Sequence, residues 1–378
     1  MKASTTGGTR AWLTPAEVSR RAVAGLAQAL TYPADPDRYL ELGTSLNLLH
    51  EGRAVVTRVR PQTADTTTLS LKTNRAWRGH RAGQYVRVAV EIDGVLRSRC
   101  FSPVLSEHAR GRRLELTVRH RPDGVVSPVL THPGAVGTVV HLSRAEGEFV
   151  LPDPRPLRLT MISAGCGITP VMSMLRTLHD EGHVGEVAFL HYARDAEHVP
   201  YAGELARLAA AWPRLRLVIV HTGPGATSRL RGHFQLDHLL AAAPWWADAP
   251  TYLCGPRGLR EAVERAYQAE DLGDLLHVER YRLEGEGLQV RDAVAGGTLT
   301  FTRSGVARPN DGRPLLAQAE AAGLHPESGC RMGICHGCLQ VKHTGVVRNV
   351  LTDEIGTEPD QEVQACVCVP VGDVTVDL

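Results

Sequence analysis

Hydrophobic positions along this 378-residue chain change their period several times, and each change predicts a different kind of structure. From Pro15 to Leu30 the apolar residues Val18, Ala22, Leu26 and Leu30 recur four apart. That spacing predicts an amphipathic helix, with Thr14 as its cap and Pro15 at its first position. From Arg53 the pattern shifts to short alternating runs. Ala54–Val59, Thr67–Lys72, Tyr85–Ile92 and Leu114–Val118 read as strands, with turns at Asp93-Gly94 and Pro122-Asp123-Gly124. Many short strands with no long helix predict a small antiparallel β-barrel. At Leu157 the period changes again. Strands Leu157–Ser163, Glu186–Tyr192, Leu215–Val220 and Thr251–Leu253 alternate with helical runs at Val171–Leu178, Ala202–Ala211, Leu236–Ala242 and Arg257–Glu270. Such alternation predicts an α/β doubly wound domain of about five parallel strands. Residues 283–297 are rich in glycine and charge and read as a linker. Beyond it, strand Thr298–Thr302, helix Pro314–Ala322 and strand Val374–Asp377 outline a small α+β unit. The expected divisions are an N-terminal extension with a helix (1–50), the barrel (51–152), the α/β domain (153–284), a linker (285–297) and a C-terminal domain (298–378).

Composition narrows the function without choosing it. A hydrophobic content of 43% with 22% charged residues describes an ordinary globular chain with room for two or three cores. A net charge of +1 offers nothing to a nucleic acid. No run of 18 apolar residues is present, and Met1–Leu13 lacks the apolar centre of a signal peptide, so membrane contact is expected to be peripheral at most. The amphipathic run at Pro15–Leu30 reads first as a helix packed on the body, and second as a membrane or partner contact.

Cysteine spacing supplies the first chemistry. Cys330, Cys335 and Cys338 stand in a C-x4-C-x2-C pattern within a glycine-bearing loop, and Cys366 follows 28 residues later. This is the plant-type spacing for four thiolates around a [2Fe–2S] cluster, with Gly333 and Gly337 letting backbone N–H groups approach the sulfurs. Zinc sites need two short Cys or His pairs, which this spacing does not supply. Cys368 competes with Cys366 for the fourth place. His336 reads as a residue at the solvent edge of the loop. Such thiolates call for a reducing compartment, so a cytoplasmic location is expected. A second signal is Ala164-Gly165-Cys166-Gly167-Ile168-Thr169-Pro170, between a strand and a helix, an arrangement that aims N–H groups at phosphate. For the 2′-phosphate of a coenzyme, Arg194 and Arg229 are the candidate partners, which favours NADPH over NADH. Trp245 and Trp246 read as packing at a helix end.

Arg99-Cys100-Phe101-Ser102, preceded by Gly83-Gln84-Tyr85, resembles the flavin signature of the ferredoxin–NADP reductase superfamily. The resemblance implies that Arg99 pairs with flavin phosphate, Phe101 lies against the flavin and Ser102 bonds near its ring system. It also implies that Val118 and Arg119 run beside the flavin, and that Gly124, Val125, Val126 and Ser127 hold its pyrophosphate, which favours FAD over FMN. Gly165, Gly167, Thr169 and Pro170 match the family's coenzyme-binding turn. Cys254-Gly255-Pro256 matches its nicotinamide-side motif, and Glu279 with Tyr281 the end of the domain that closes over the flavin. Phe101 departs from the family's usual tyrosine and gives up a hydroxyl. The cysteine segment resembles plant-type ferredoxins, β-grasp-like in fold, where the last cysteine lies four residues before a proline; Pro370 then points to Cys366. The resemblance covers everything after the extension. It implies an oxidoreductase passing electrons from NADPH through FAD to the cluster, with Ser102, Cys254 and Glu279 nearest the chemistry; a monomer is expected. The whole chain, including its extension with Asp37-Arg38-Tyr39-Leu40, is most similar to reductases serving membrane-bound di-iron acyl-CoA desaturases. Haem-thiolate, soluble di-iron and ring-hydroxylating oxygenases remain alternative acceptors, and a redox sensor is the alternative of another class.

Overall fold

The structure, a computed structural model, describes residues 52–224, 228–280, 295–329, 331, 333, 336–352 and 354–378. The helix expected at Pro15–Leu30, most of the linker, Tyr281, Cys330 and Cys335 lie outside them.

Three sheets follow one another along the chain. The first is antiparallel: β1 (Gly52–Pro61), β2 (Thr66–Thr73), β3 (Val86–Ile92), β4 (Val95–Phe101), β5 (Arg113–Arg119) and β6 (Val139–Leu142), in the order β4-β3-β6-β1-β2-β5. The sheet curls until its edges meet, with Pro103 bridged to Leu116. Inward residues alternate as a half-buried strand requires, so Val86, Val88, Val90, Leu69, Leu71, Leu114, Leu116 and Val118 fill the interior. A short helix α1 (Ser127–Thr131) follows β5. β4 and β6 extend the expected set of strands. The expectation passed over β4 because Val95–Phe101 alternates arginine and serine rather than apolar residues.

The second sheet is parallel. Strands β7 (Arg158–Ala164), β8 (Glu186–Ala193), β9 (Leu215–His221), β10 (Thr251–Cys254) and β11 (Leu276–Glu279) lie in the order β11-β10-β7-β8-β9. Helices α2 (Ile168–Asp180), α3 (Ala202–Ala211), α4 (Leu236–Ala242) and α5 (Arg257–Ala269) connect them. The strands are almost wholly apolar because helices cover both faces of the sheet. Trp245 and Trp246 do pack the end of α4, with Trp246 edge-on to Tyr267 and Trp245 under Arg158 and Arg216.

Barrel and parallel sheet share a core. Ala82, Val104, Phe149 and Leu151 from the barrel side pack with Met161, Ile168, Met174 and Leu175. Polar bonds lock the same boundary. Arg176 of α2 donates to the Val104 carbonyl (2.7 Å) and forks onto Glu204 (2.7 Å to each oxygen). The Tyr201 hydroxyl meets Thr117 Oγ1 of β5, and Arg155 bridges Glu107 (2.6 Å) and Glu181 (2.7 Å).

The third sheet is mixed. It contains β12 (Thr298–Phe301), β13 (Val306–Pro309), β14 (Leu339–Asn349), β15 (Ile355–Gly356), β16 (Gln361–Gln364) and β17 (Cys368–Val376), with α6 (Leu315–Ala321) laid on it. Leu315, Leu316 and Ala319 of the helix meet Leu299, Phe301, Val374 and Val376 of the sheet.

Candidate functional site

The C-terminal ends of β7, β8 and β10 border a cavity of about 650 Å³, at the switch point where a doubly wound sheet places its ligands. After β7 the chain turns through Gly165–Gly167 directly into α2. Gly165 has φ +53° with open space where a Cβ would stand, and a Cβ on Gly167 would lie 2.1 Å from the Cys254 carbonyl oxygen. The turn is therefore pressed onto the end of β10, and only glycine fits there. No side chain caps the start of α2, whose Ile168 N–H turns back to the Gly165 and Cys166 carbonyls, so the glycine turn itself stands at the positive end of the helix, where an anion is favoured. Thr169 and Pro170 are buried in that first turn, with Thr169 Oγ1 donating to the Cys166 carbonyl (3.1 Å). Gly255, Pro256 and Arg194 line the cavity too; Arg229 is exposed in a later loop and is not among the lining residues.

The barrel also reaches this cavity. Asp65, Thr66 and Arg119 line it. Arg119 Nε donates to Asp65 Oδ2 at 2.8 Å, while the hydroxyls of Thr63 and Thr66 donate to the same carboxylate. Arg119 was expected beside the flavin; the structure sets it at the boundary between the two domains. Asp65 carried no signal in the sequence, because its meaning depends on a neighbour 54 residues away.

Behind the glycine turn lies a group of weakly charged side chains. Register pairs Cys254 with both Ser163 and Glu279. Cys254 is fully buried, and its thiol is held well above its ordinary range by burial and then by Glu279. Glu279 is 7% exposed, and burial pushes its carboxyl up to about 7 against one opposing bond from the Arg280 N–H (3.1 Å). Burial likewise raises Cys166 to about 11. Glu279 alone among these three titrates near neutrality, as a proton-holding group should.

On the barrel, Ser102 and Val118 are buried and Phe101 half-buried at the end of β4 and within β5. Gly124, Val125, Val126 and Ser127 form the turn into α1. Gly124 N donates to the Arg121 carbonyl (2.9 Å), and the Arg121 N–H donates to Ser127 Oγ (3.2 Å). Val126 is buried at the helix start and Val125 exposed beside it. Arg99 donates to the Ser98 carbonyl (2.6 Å) and borders a second cavity, away from the first.

In the C-terminal domain, Cys338, Cys366 and Cys368 are buried. Cys366 Sγ accepts from the Gly333 N–H at 3.3 Å, so it faces the loop that carries the other expected ligands. Gln364 braces that loop through the Gly333 carbonyl (2.9 Å) and His336 (3.1 Å), which is exposed as expected. Cys368 begins β17, and its thiol is pushed by burial to about 11.

The chain matches the oxidoreductase FAD-binding domain over residues 54–151 and the oxidoreductase NAD-binding domain over residues 161–265. It is 36% identical to an NADPH oxidoreductase of Mycobacterium tuberculosis, over 93% of this chain and 91% of that protein. It is 29% identical to the ferredoxin reductase component of 3-ketosteroid-9-alpha-monooxygenase from Mycolicibacterium smegmatis, over 77% of this chain and 84% of that one. Among solved structures, phthalate dioxygenase reductase covers 86% of this chain with a TM-score of 0.57, matching over 97% of its own length at 20% identity, which is a likeness of fold. Among the described residues, no helix is long and apolar enough to cross a membrane.

Proposed function

Because the chain belongs to the ferredoxin reductase family of FAD- and NAD-binding oxidoreductases, we propose that it carries electrons from NADPH to an oxygenase or a membrane-bound di-iron acyl-CoA desaturase. The route runs through FAD and a C-terminal [2Fe–2S] cluster. The observation that carries this reading is the shared cavity, where the glycine turn of the parallel sheet meets Asp65, Thr66 and Arg119 of the barrel. A coenzyme bound there lies across both domains at once.

FAD supplies the conversion of a hydride into single electrons. The protein's own residues bind, orient and move the proton. Gly165, Gly167 and the first turn of α2 hold the coenzyme pyrophosphate. Arg194 takes the 2′-phosphate and so selects NADPH. Glu279, with its carboxyl near 7, holds a proton on the nucleotide side. Arg99, Phe101, Ser102 and the Gly124–Ser127 turn hold the flavin. Cys330, Cys335, Cys338 and Cys366 hold the cluster. The burial of Cys338 and Cys366 and the Gly333 N–H on sulfur suit thiolates that bind iron. The Mycolicibacterium smegmatis relative is a component of a monooxygenase, as its name states, and the desaturase follows from the likeness of the whole chain, N-terminal extension included.

The test is reconstitution of the purified protein with a membrane fraction holding a candidate desaturase, supplied with stearoyl-CoA and either NADPH or NADH. NADPH-dependent desaturation that is lost in Cys335→Ser is the expected result. Rapid NADPH oxidation by ferricyanide without unsaturated product would move the acceptor to the oxygenases. Absence of any bound iron in the intact protein would remove the cluster from the route.

A further inference from the structure

Gly333 stands in the chain between Cys330 and Cys335, and both of its backbone polar groups are taken up by the Gln364–Cys366 segment. Its N–H donates to Cys366 Sγ at 3.3 Å, and its carbonyl accepts from Gln364 Nε2 at 2.9 Å. The second hydrogen of the same amide reaches His336 Nδ1 at 3.1 Å. Gln364 thus grips the loop at two points three residues apart. It is placed to do so as the half-buried last residue of β16, opposite Leu339 at the start of β14. Its own carbonyl accepts from the Val367 N–H at 3.0 Å, so the turn that carries Cys366 hangs from the same residue.

Two other anchors set where the loop lies. Arg331 forks onto Glu320 of α6. A Cβ on Gly333 would stand 3.0 Å from Leu351 Cδ1 and 3.1 Å from both Gln364 Oε1 and Val367 Cγ2, so the chain is walled in there. Apolar walls fix position but not the direction of a peptide dipole. Among the described residues, the Gln364 amide is what holds the Gly333 carbonyl, and with it the turn of the backbone that aims the Gly333 N–H. An N–H on a ligand sulfur supports the extra negative charge that arrives with an electron, so it raises the reduction potential of an iron–sulfur group.

We propose that Gln364 is a positioning residue of the cluster site: by holding the Gly333 carbonyl it keeps the Gly333 N–H on the Cys366 sulfur, and so sets the potential at which the cluster takes an electron. The inference rests on the [2Fe–2S] reading of Cys330, Cys335, Cys338 and Cys366. Two consequences of removing the amide have opposite signs. Loss of the N–H bond withdraws support from the more negative, reduced state and lowers the potential. A loop that is merely loosened admits water, which supports that state and raises it. The direction of the change therefore separates positioning from general structural support.

The experiment uses the full-length chain and its Gln364→Met variant, which keeps the length of the side chain and loses its donors. Iron content and the visible spectrum are measured first. The reduced cluster is then followed by electron paramagnetic resonance while the potential is stepped with mediators. The expected result is a variant that carries iron as the wild type does and whose reduced-to-oxidised ratio at a set potential falls about threefold to tenfold, which is about 30–60 mV for one electron. An unchanged or raised potential overturns the proposal and leaves the cluster reading standing. A wild type with no iron and no cluster spectrum overturns the cluster reading and this inference with it. Should Gln364→Met carry no iron, Gln364→Asn is titrated in its place, a neutral amide one methylene too short for the Gly333 carbonyl; the same fall is expected, and its absence overturns the proposal.

Discussion

Replacing Glu279 by glutamine removes a buried titrating group while keeping its shape and its acceptor for the Arg280 N–H. The carboxyl is pushed from an ordinary 4.5 up to about 7 by burial. Below pH 4.5 the folded and unfolded chains both hold the proton, and the group has no effect on stability. Between 4.5 and 7 the unfolded chain ionises and the folded chain does not, so stability falls as pH rises. Above 7 a buried carboxylate is carried at full cost, and 2.5 pH units of difference amount to about 3 kcal/mol. Glu279→Gln escapes that cost. Its melting temperature should exceed the wild type's by about 6–12 °C at pH 8 and by little at pH 5. Differential scanning fluorimetry across this range reads the difference directly. A variant whose advantage is the same at pH 5 and pH 8 would refute the reasoning, because the carboxyl would then not be titrating where its burial places it. The same substitution should remove an inflection near pH 7 from the kcat/KM profile for coenzyme oxidation.

Three further substitutions test the geometry. Gly167→Ala drives a methyl against the Cys254 carbonyl, so stability should fall by about 1–3 kcal/mol in urea titration and coenzyme affinity with it. Arg194→Ala should raise KM for NADPH about tenfold or more and leave KM for NADH unchanged, since only the former carries the 2′-phosphate. Tyr201→Phe takes away the hydroxyl at Thr117 but leaves Thr117 bonded to Thr68 at 2.7 Å; the loss should stay near 1 kcal/mol by urea titration.

Apolar periodicity was enough to outline the parallel sheet. Helices Ala202–Ala211 and Leu236–Ala242 match their expected ends because their apolar positions fall on one side and a proline, Pro213 or Pro244, stands two residues beyond each. The barrel was legible where strands alternate and obscure at β4, whose polar side chains line a cavity instead of a core. In the third sheet, β14 escaped notice because Leu339–Asn349 mixes Lys342 and His343 with valines, yet Lys342 is fully buried, its ammonium held by the Gly345 (2.8 Å) and Glu358 (2.6 Å) carbonyls. Such a position reads as surface until its partners are known. The glycine turn was legible because its motif is contiguous. Asp65, and the arginines around the second cavity other than Arg99, were not, because they are scattered over separate strands and loops and belong to no contiguous motif.

The two domain boundaries differ in kind, and the difference bears on function. Between barrel and parallel sheet lie a continuous apolar core, the Arg176 fork and the Arg155 bridge, which together hold one geometry. Hydride transfer needs that, since a shift of about 1 Å at the reacting atoms costs orders of magnitude in rate. Between barrel and C-terminal domain, the described polar contacts are the Ser98 hydroxyl on the Ser328 carbonyl and the long Arg87–Glu327 pair, whose carboxylate is largely in water. One neutral hydrogen bond and one exposed ion pair contribute about 1–2 kcal/mol together. Taken by themselves, these two contacts weigh a docking equilibrium by a factor of roughly 5–30. On the route proposed above the C-terminal domain would take electrons on one side and release them on another, a task that light polar contacts suit, whereas the hydride site requires the fixed boundary between barrel and parallel sheet.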